Sequence, residues 1–219
     1  MLNFNDIKNN ETINTYIKKA DEVLLSIGYT EHSFAHVTKV SETAAYILTA
    51  LNYSKRDIEL ARIAGYMHDI GNIVNRDMHS QTGAVIAYNI LTNIGMEALD
   101  IADIVSAIGN HDEGTGAPIN AITAALIIAD KTDVRRSRVR NQQLTNFDIH
   151  DRVNYSVESS SLIINSENNE IILELKLDTK IGSVMDYFEI FLGRMDMCRK
   201  AAEKLGLKFS MSANGQRLI

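Results

Sequence analysis

Cysteine and proline are scarce in this chain, and positive charge is in deficit. A single cysteine, Cys198, among 219 residues excludes an internal disulfide and a cysteine-rich zinc or iron–sulfur site, and suits a reducing compartment. One proline, Pro118, with 45% hydrophobic and 23% charged residues, excludes collagen-like, linker-like and disordered chains. No apolar run approaches the roughly 18 residues of a membrane span. No opening stretch has the charged, apolar, small-residue order of a signal peptide, so a cytoplasmic protein without membrane contact is expected. The 22 Lys and Arg against 28 Asp and Glu leave a net charge of −6, which argues against a nucleic-acid partner. Bound phosphate must therefore be met by local cations. The length is enough for one large domain, or one domain with a small companion, and for a sizeable core.

Up to about residue 140 the apolar residues recur at three- and four-residue steps, the period of helices. Ile13, Ile17, Ala20, Leu24 and Ile27 mark a first helix ending at Gly28. Val37, Val40, Ala44, Ile47 and Leu51 mark a second, with Ser33 as its N-cap. Further helices are expected over about 58–68, 79–95, 101–108 and 121–140. The stretch Gly114-Thr115-Gly116-Ala117-Pro118 breaks the chain before the last of these. After residue 145 the period shortens. Val153, Tyr155 and Val157, then Ile171, Leu173, Leu175 and Leu177, alternate with polar residues and read as two half-buried strands. A helical stripe from Val184 to Leu205 follows, then a strand from Leu207 and an Asn214-Gly215 hairpin signal. The expected fold is mainly α: a helical body over residues 1–145, then a small α+β unit (β-β-α-β) over residues 146–219. The role of that unit is open, dimerisation of two copies being one use of its helical stripe.

The six histidines are ordinary in number but not in placement. His68 continues the face of Ile58, Ala61 and Gly65, and His111 continues that of Ile101, Ile104 and Ile108. His79 begins the face of Gly83, Ile86 and Ile90, and His36 shares one with Val40. A core histidine with a satisfied hydrogen bond is the ordinary explanation of any one of these. Four together, beside Asp69 and an Asp130 set in the apolar run Ala124–Ala129, point to metal, since a buried carboxylate costs several kcal/mol unless paired or coordinating. Imidazole and carboxylate without thiolate suit iron or manganese first, with zinc, magnesium or nickel also compatible. Six ligands exceed what one catalytic ion with open positions needs, and two divalent ions use the set better.

His36, the pair His68-Asp69 within Tyr66-Met67-His68-Asp69-Ile70-Gly71, and Asp130 within Ile128-Ala129-Asp130-Lys131 resemble the H…HD…D signature of the HD-domain superfamily of metal-dependent phosphohydrolases. His79 and His111 resemble the additional ligands of its two-metal branches, among them hydrolases of dinucleoside polyphosphates and cyclic dinucleotides. The resemblance spans roughly residues 30–140. It implies an HD helical bundle and a metal centre of His36, His68, Asp69, His79, His111 and Asp130, with Asp69 between the ions. It also implies hydrolysis of a phosphoester or phosphoanhydride of a small nucleotide-type substrate by a hydroxide shared by the metals. Many relatives carry a lysine where this chain has Asn72, and the tyrosine of the cyclic-dinucleotide enzymes has no counterpart in Gly114–Pro118.

Substrate contacts are expected just past Asp130. On a continued helix Lys131, Arg135 and Arg138 fall at i, i+4 and i+7 and form a basic stripe able to clamp phosphate. Lys131 is assigned with His68 and Asp69 to the catalytic set, and His32 is a further substrate contact near His36. Asp112 and Glu113 follow His111 in a loop, and His150 falls at the change of period, where a surface position is expected. Two other functions compete with hydrolysis. One is a di-iron oxygenase on an HD-like fold, and the other a non-catalytic module that responds to nucleotide or metal, which the missing lysine at Asn72 favours.

Overall fold

The computed structural model describes residues 2–141, 147–165 and 167–219. Seven helices occupy the described residues up to 141: α1 (Phe4–Lys8), α2 (Glu11–Ser26), α3 (Phe34–Ala50), α4 (Lys55–Met67), α5 (His79–Asn93), α6 (Ala98–Gly109) and α7 (Ala121–Lys131), with a 3-10 turn at Ile70–Ile73 between α4 and α5. Asn10, Ser33, Ser54 and Asn120 cap their helices, each side chain accepting a main-chain N–H of the first turn. α7 is apolar on every side and forms the axis of the body, packed against α3, α4 and α6. Every residue from Ile122 to Ala129 is buried, which a helix wrapped by others requires.

α7 stops at Lys131, nine residues short of the sequence expectation of a helix to Arg140. The basic stripe on a continued helix is therefore not formed. Arg135 is extended, and a 3-10 turn follows at Arg136–Arg138. The cause is tertiary. Asp133 turns back to His36 at 2.8 Å, and the main chains of Glu31 and Arg138 pair, Glu31 N–H donating to Arg138 O at 2.8 Å. No local periodicity carries those contacts.

The C-terminal part opens with α8 (Ile149–Ser156), where the alternation of Val153, Tyr155 and Val157 led to a strand. Val153 and Val157 are four apart and both buried, a spacing that suits one face of either element. The Asp148 carboxylate, accepting Asp151 N–H at 2.7 Å, decides for helix. β1 (Val157–Asn165) and β2 (Glu170–Leu177) pair antiparallel. α9 (Val184–Lys204) then crosses to β3 (Lys208–Ala213), parallel to β2, and β4 (Gln216–Arg217) closes a hairpin. Asn214 and Gly215, with φ of 51° and 79°, form the turn. Ile171, Leu173, Leu175 and Leu177 are all buried, as the period-two pattern requires.

α9 packs on α7 as well as on β3, so the C-terminal segment also abuts the axis of the helical body. The division expected after residue 145 lies outside the described residues. Among the described residues no helix is long and apolar enough to cross a membrane.

Candidate metal centre and substrate cavity

Five helix ends converge on one point. His36 lies in the first turn of α3, His68 and Asp69 follow the last turn of α4, His79 begins α5, His111 lies just past α6, and Asp130 is in the last turn of α7. His36, His68, Asp69, His79 and His111 are all at most 5% exposed. Each imidazole is oriented through its Nδ1. His68 Nδ1 faces Gly65 O at 2.9 Å, His79 faces Arg76 O at 3.0 Å and His111 faces Ile108 O at 2.7 Å, while His36 Nδ1 lies 2.8 Å from Asp133 Oδ2. These partners only accept, so Nδ1 donates in all four rings and each Nε2 presents a lone pair inward when its ring is neutral.

The inward atoms meet the carboxylates in two sets. His36 Nε2 and His68 Nε2 lie 3.4 and 3.6 Å from Asp130 Oδ1, and 3.6 and 3.2 Å from Asp69 Oδ2. On the other side His79 Nε2 lies 3.7 Å from Asp69 Oδ1 and 3.2 Å from His111 Nε2. Asp69 thus shows one oxygen to each set. Divalent ions fit these donors. His36 Nε2 and His68 Nε2 are buried without a hydrogen-bond partner, and the His79 and His111 lone pairs face each other across a gap that a cation would relieve. Two overlapping groups, His36, His68 and Asp130, and His68, Asp69 and His111, have ligand atoms within 4.8 Å of one another.

Residues 33–137 match the family model described as the HD domain, and they contain all six of these residues. Over that segment the chain is similar to the HD-domain superfamily. An uncharacterized protein of Methanocaldococcus jannaschii is 26% identical over 205 residues, 82% of this chain and 77% of its own length. The crystal structure of a predicted HD superfamily hydrolase from an uncultured Thermotogales bacterium aligns over 57% of this chain and 67% of that one, with 22% identity and a TM-score of 0.44.

Within the matched segment, charge is arranged for a cation. Burial opposes a charge on His68, but Asp69 and Asp130 outweigh it and push its pKa up to about 10. Both carboxylates are held well below their ordinary range, by His68 for Asp69 and by Lys131, His36 and His68 for Asp130, against the cost of burial. Desolvation pushes His111 well down and His79 down, leaving neutral rings there. Asp133, one turn past Asp130, escaped the sequence reading. It orients His36, and burial notwithstanding, His36 and Arg138 keep it ionised. Asp133→Ala is expected to weaken metal binding about 10- to 100-fold, the usual cost of losing such an orienting partner. Titrating metal into the metal-depleted variant measures this, and an unchanged affinity would refute the role.

Asn72 has a different task from a phosphate-binding lysine. It is buried, and its Nδ2 donates to both the main-chain O and Oδ1 of Asp69 at 2.9 Å, fixing the carboxylate that the two sets share. Its Oδ1 accepts from Arg76 at 3.2 Å.

A cavity of about 280 Å³ opens over the centre, lined by Asp69, His79, His111 and Asp130 at its floor. His32 also lines it, held by Thr30 O at 2.7 Å and edge-on to His36, and desolvation keeps its ring well below its ordinary pKa. Lys131 and Arg138 line it too, whereas Arg135 does not. Arg135 instead binds Asp133 at 3.0 Å and Glu31 at 3.2 Å. Much of the remaining wall comes from outside the matched HD segment: Tyr29 before it, His150, Asp151 and Asn154 on α8, and Phe191 and Arg194 on α9. His150, expected at the surface, is exposed and also faces this cavity. Arg194 donates to Glu113 Oε1 at 3.1 Å, Glu113 Oε2 holds Lys131 Nζ at 2.6 Å, and Lys131 reaches Asp130 Oδ2 at 2.8 Å. A chain of alternating charge therefore runs from α9 to a residue of the metal centre.

Glu31 braces the loop before α3, contacting Ser33 and Arg135. Burial raises its pKa, but the bonds from Ser33 and the charges of Arg138 and Arg135 outweigh this and lower it from 4.5. A carboxyl depressed in the folded state stabilises fully above its unfolded pKa, and that contribution is lost as pH falls through the folded value. Glu31→Gln is therefore expected to lower the urea midpoint at neutral pH. Its deficit relative to the native chain should shrink as pH drops below about 4.5. A deficit independent of pH would show that the charge of Glu31 is not what matters.

Proposed function

We propose that this protein is a metal-dependent phosphohydrolase that cleaves a phosphate bond of a small nucleotide-type substrate. The observation that carries the reading is the division of Asp69, whose Oδ2 faces His36 and His68 and whose Oδ1 faces His79. Two divalent ions, iron or manganese by donor type, would supply what such centres supply: a water deprotonated near neutral pH and charge neutralisation at phosphoryl oxygens.

The chain's own residues do the rest. Asn72 holds the Asp69 carboxylate in place, and Asp133 and three main-chain carbonyls hold the imidazoles with Nε2 inward. Lys131 keeps Asp130 ionised. Burial of the floor residues His79 and His111 and of Asp69 strengthens the charge interactions there. Among the cations around the cavity, Arg76 has no carboxylate oxygen of the described residues nearer than 3.9 Å, which suits an anionic ligand and favours hydrolysis over the oxygenase alternative. Asn72 no longer supports a non-catalytic module, since its amide is engaged in positioning Asp69.

The test is to deplete the purified protein of metal, reload it with manganese or ferrous iron, and screen it against nucleotides, diadenosine polyphosphates and cyclic dinucleotides. Two ions per chain by elemental analysis and release of phosphate or nucleotide are expected. Two bound ions with no release from any phosphate compound would overturn the reading.

A further inference from the structure

Four cations line the cavity, and three of them are already engaged. Lys131, 3% exposed, is held by Asp130 and Glu113 at 2.8 and 2.6 Å. Arg194 lies against Glu113 at 3.1 Å with its guanidinium over the Phe191 ring at 4.6 Å. Arg138 is buried, its Nε and Nη1 donating to the main-chain O of Glu31 and Asp133 at 2.9 and 2.8 Å.

Arg76 differs. Its Nη1 meets the neutral Asn72 Oδ1 at 3.2 Å, and the nearest carboxylate oxygen, Asp69 Oδ1, is at 3.9 Å. Among the described residues its Nε and Nη2 have no hydrogen-bond partner. The group is nonetheless positioned. The main-chain O of Arg76 anchors His79 Nδ1 at 3.0 Å, so the residue is fixed to the metal centre. Its guanidinium lies 5.6 Å from the centre of the Tyr29 ring. Tyr29 is in turn set by the end of α2: Gly28 takes φ of 86° and Tyr29 N–H closes on Leu24 O at 2.9 Å, a left-handed cap that turns the chain toward the cavity.

We propose that Arg76 binds the phosphoryl group of the substrate through its free Nε–Nη2 edge, and that the substrate is a phosphomonoester whose organic part lies along Tyr29. This rests on the hydrolase reading above and narrows it. A planar guanidinium edge matches two oxygens of a terminal phosphoryl group, and it stands beside the carboxylate that the two histidine sets share. A polyphosphate or a dinucleotide would need further free cations along its length. The lining also includes Asp148 and Asp151, whose charge repels additional phosphates. The cavity volume, about 280 Å³, is also at the small end for ligand sites. In the reaction the oxygen of water bonds to phosphorus, the P–O bond to the alcohol oxygen breaks, and that oxygen takes a proton from the attacking water. The products are the free alcohol and inorganic phosphate.

The test uses the metal-loaded full chain, Arg76→Ala and Arg76→Lys, with metal content and melting temperature as controls. Binding of inorganic phosphate is measured by calorimetry, and turnover is followed on nucleoside monophosphates, triphosphates and p-nitrophenyl phosphate against its bis ester. Arg76→Ala should weaken phosphate binding and raise KM for monoesters by roughly 10- to 100-fold with metal content unchanged. Arg76→Lys should restore part of the loss, since it returns the charge without the fork. Unchanged phosphate affinity in Arg76→Ala would overturn the role of Arg76 whether or not a substrate is found. A native enzyme faster on triphosphates, dinucleotides or diesters would overturn the monoester assignment. Absence of any hydrolysis with normal phosphate binding would instead count against the hydrolase reading.

Discussion

Asp69→Ala should empty both halves of the metal centre, where removal of a residue belonging to one half should empty only that half. The two oxygens of Asp69 face different histidine sets, 3.2 Å from His68 Nε2 and 3.7 Å from His79 Nε2, so this is the carboxylate whose loss both sets feel. The variant also leaves Asn72 Nδ2 without its side-chain partner. Elemental analysis should find far fewer than two ions per chain, and His79→Ala should retain more metal than Asp69→Ala. Loss of ions that contribute several kcal/mol of transition-state stabilisation corresponds to about a 10³-fold or greater fall in kcat/KM, at tenfold per 1.4 kcal/mol. Two ions retained in Asp69→Ala would show that this carboxylate is not shared, and would remove the observation on which the proposed function stands.

Gly71→Ala should cost the protein stability as well as metal. A Cβ at this position would lie 1.9 Å from the carbonyl oxygen of His79 and 2.5 Å from Gly83 N, both main-chain atoms of α5. No rotamer relieves such a contact, so α5 must move away from the turn after α4, taking His79 with it. Overpacking of this kind typically costs 1–3 kcal/mol and at times more. With two main-chain clashes the upper end, about 3 kcal/mol, applies, and at roughly 2–4 °C per kcal/mol for a chain of this size the expected fall in Tm is about 6–12 °C, with metal lost first from the His79 and His111 side. A scanning melt with metal analysis checks both. A Tm within about 1 °C of the native chain with full metal loading would show that α5 does not depend on this close approach.

Several parts of the site were legible in the sequence because they are written into helical periodicity. His68 and His111 extend apolar stripes, so their burial follows from the same spacing that buries Ala61 and Ile104. Asp130 lies in a run that only an interior helix tolerates. The strand over Ile171–Leu177 and the Asn214-Gly215 turn were readable for the same reason, as each is decided within a few residues, whereas β1 over Val157–Asn165 was not anticipated. The end of α7 was not. Lys131 to Arg140 contains nothing that breaks a helix, and the chain departs because Asp133 pairs with His36, 97 residues away. The segment around Val153 was ambiguous because a four-residue spacing serves strand and helix alike, and the cap at Asp148 was the local sign that decided it.

The sequence by itself determined a mainly helical chain with an α+β end, and the convergence of imidazole with carboxylate rather than thiolate. Those properties depend on residue type and on short-range spacing. The tertiary structure alone decided which nitrogen each histidine turns inward, that Asn72 positions Asp69, that Arg76 keeps an edge without a hydrogen-bond partner among the described residues, and that α8 and α9 wall the cavity. Such facts arise where distant segments meet, as Arg194 meets Glu113 across 81 residues. The energy that selects them is that of satisfying buried polar groups, which no stretch of sequence contains until the chain has folded.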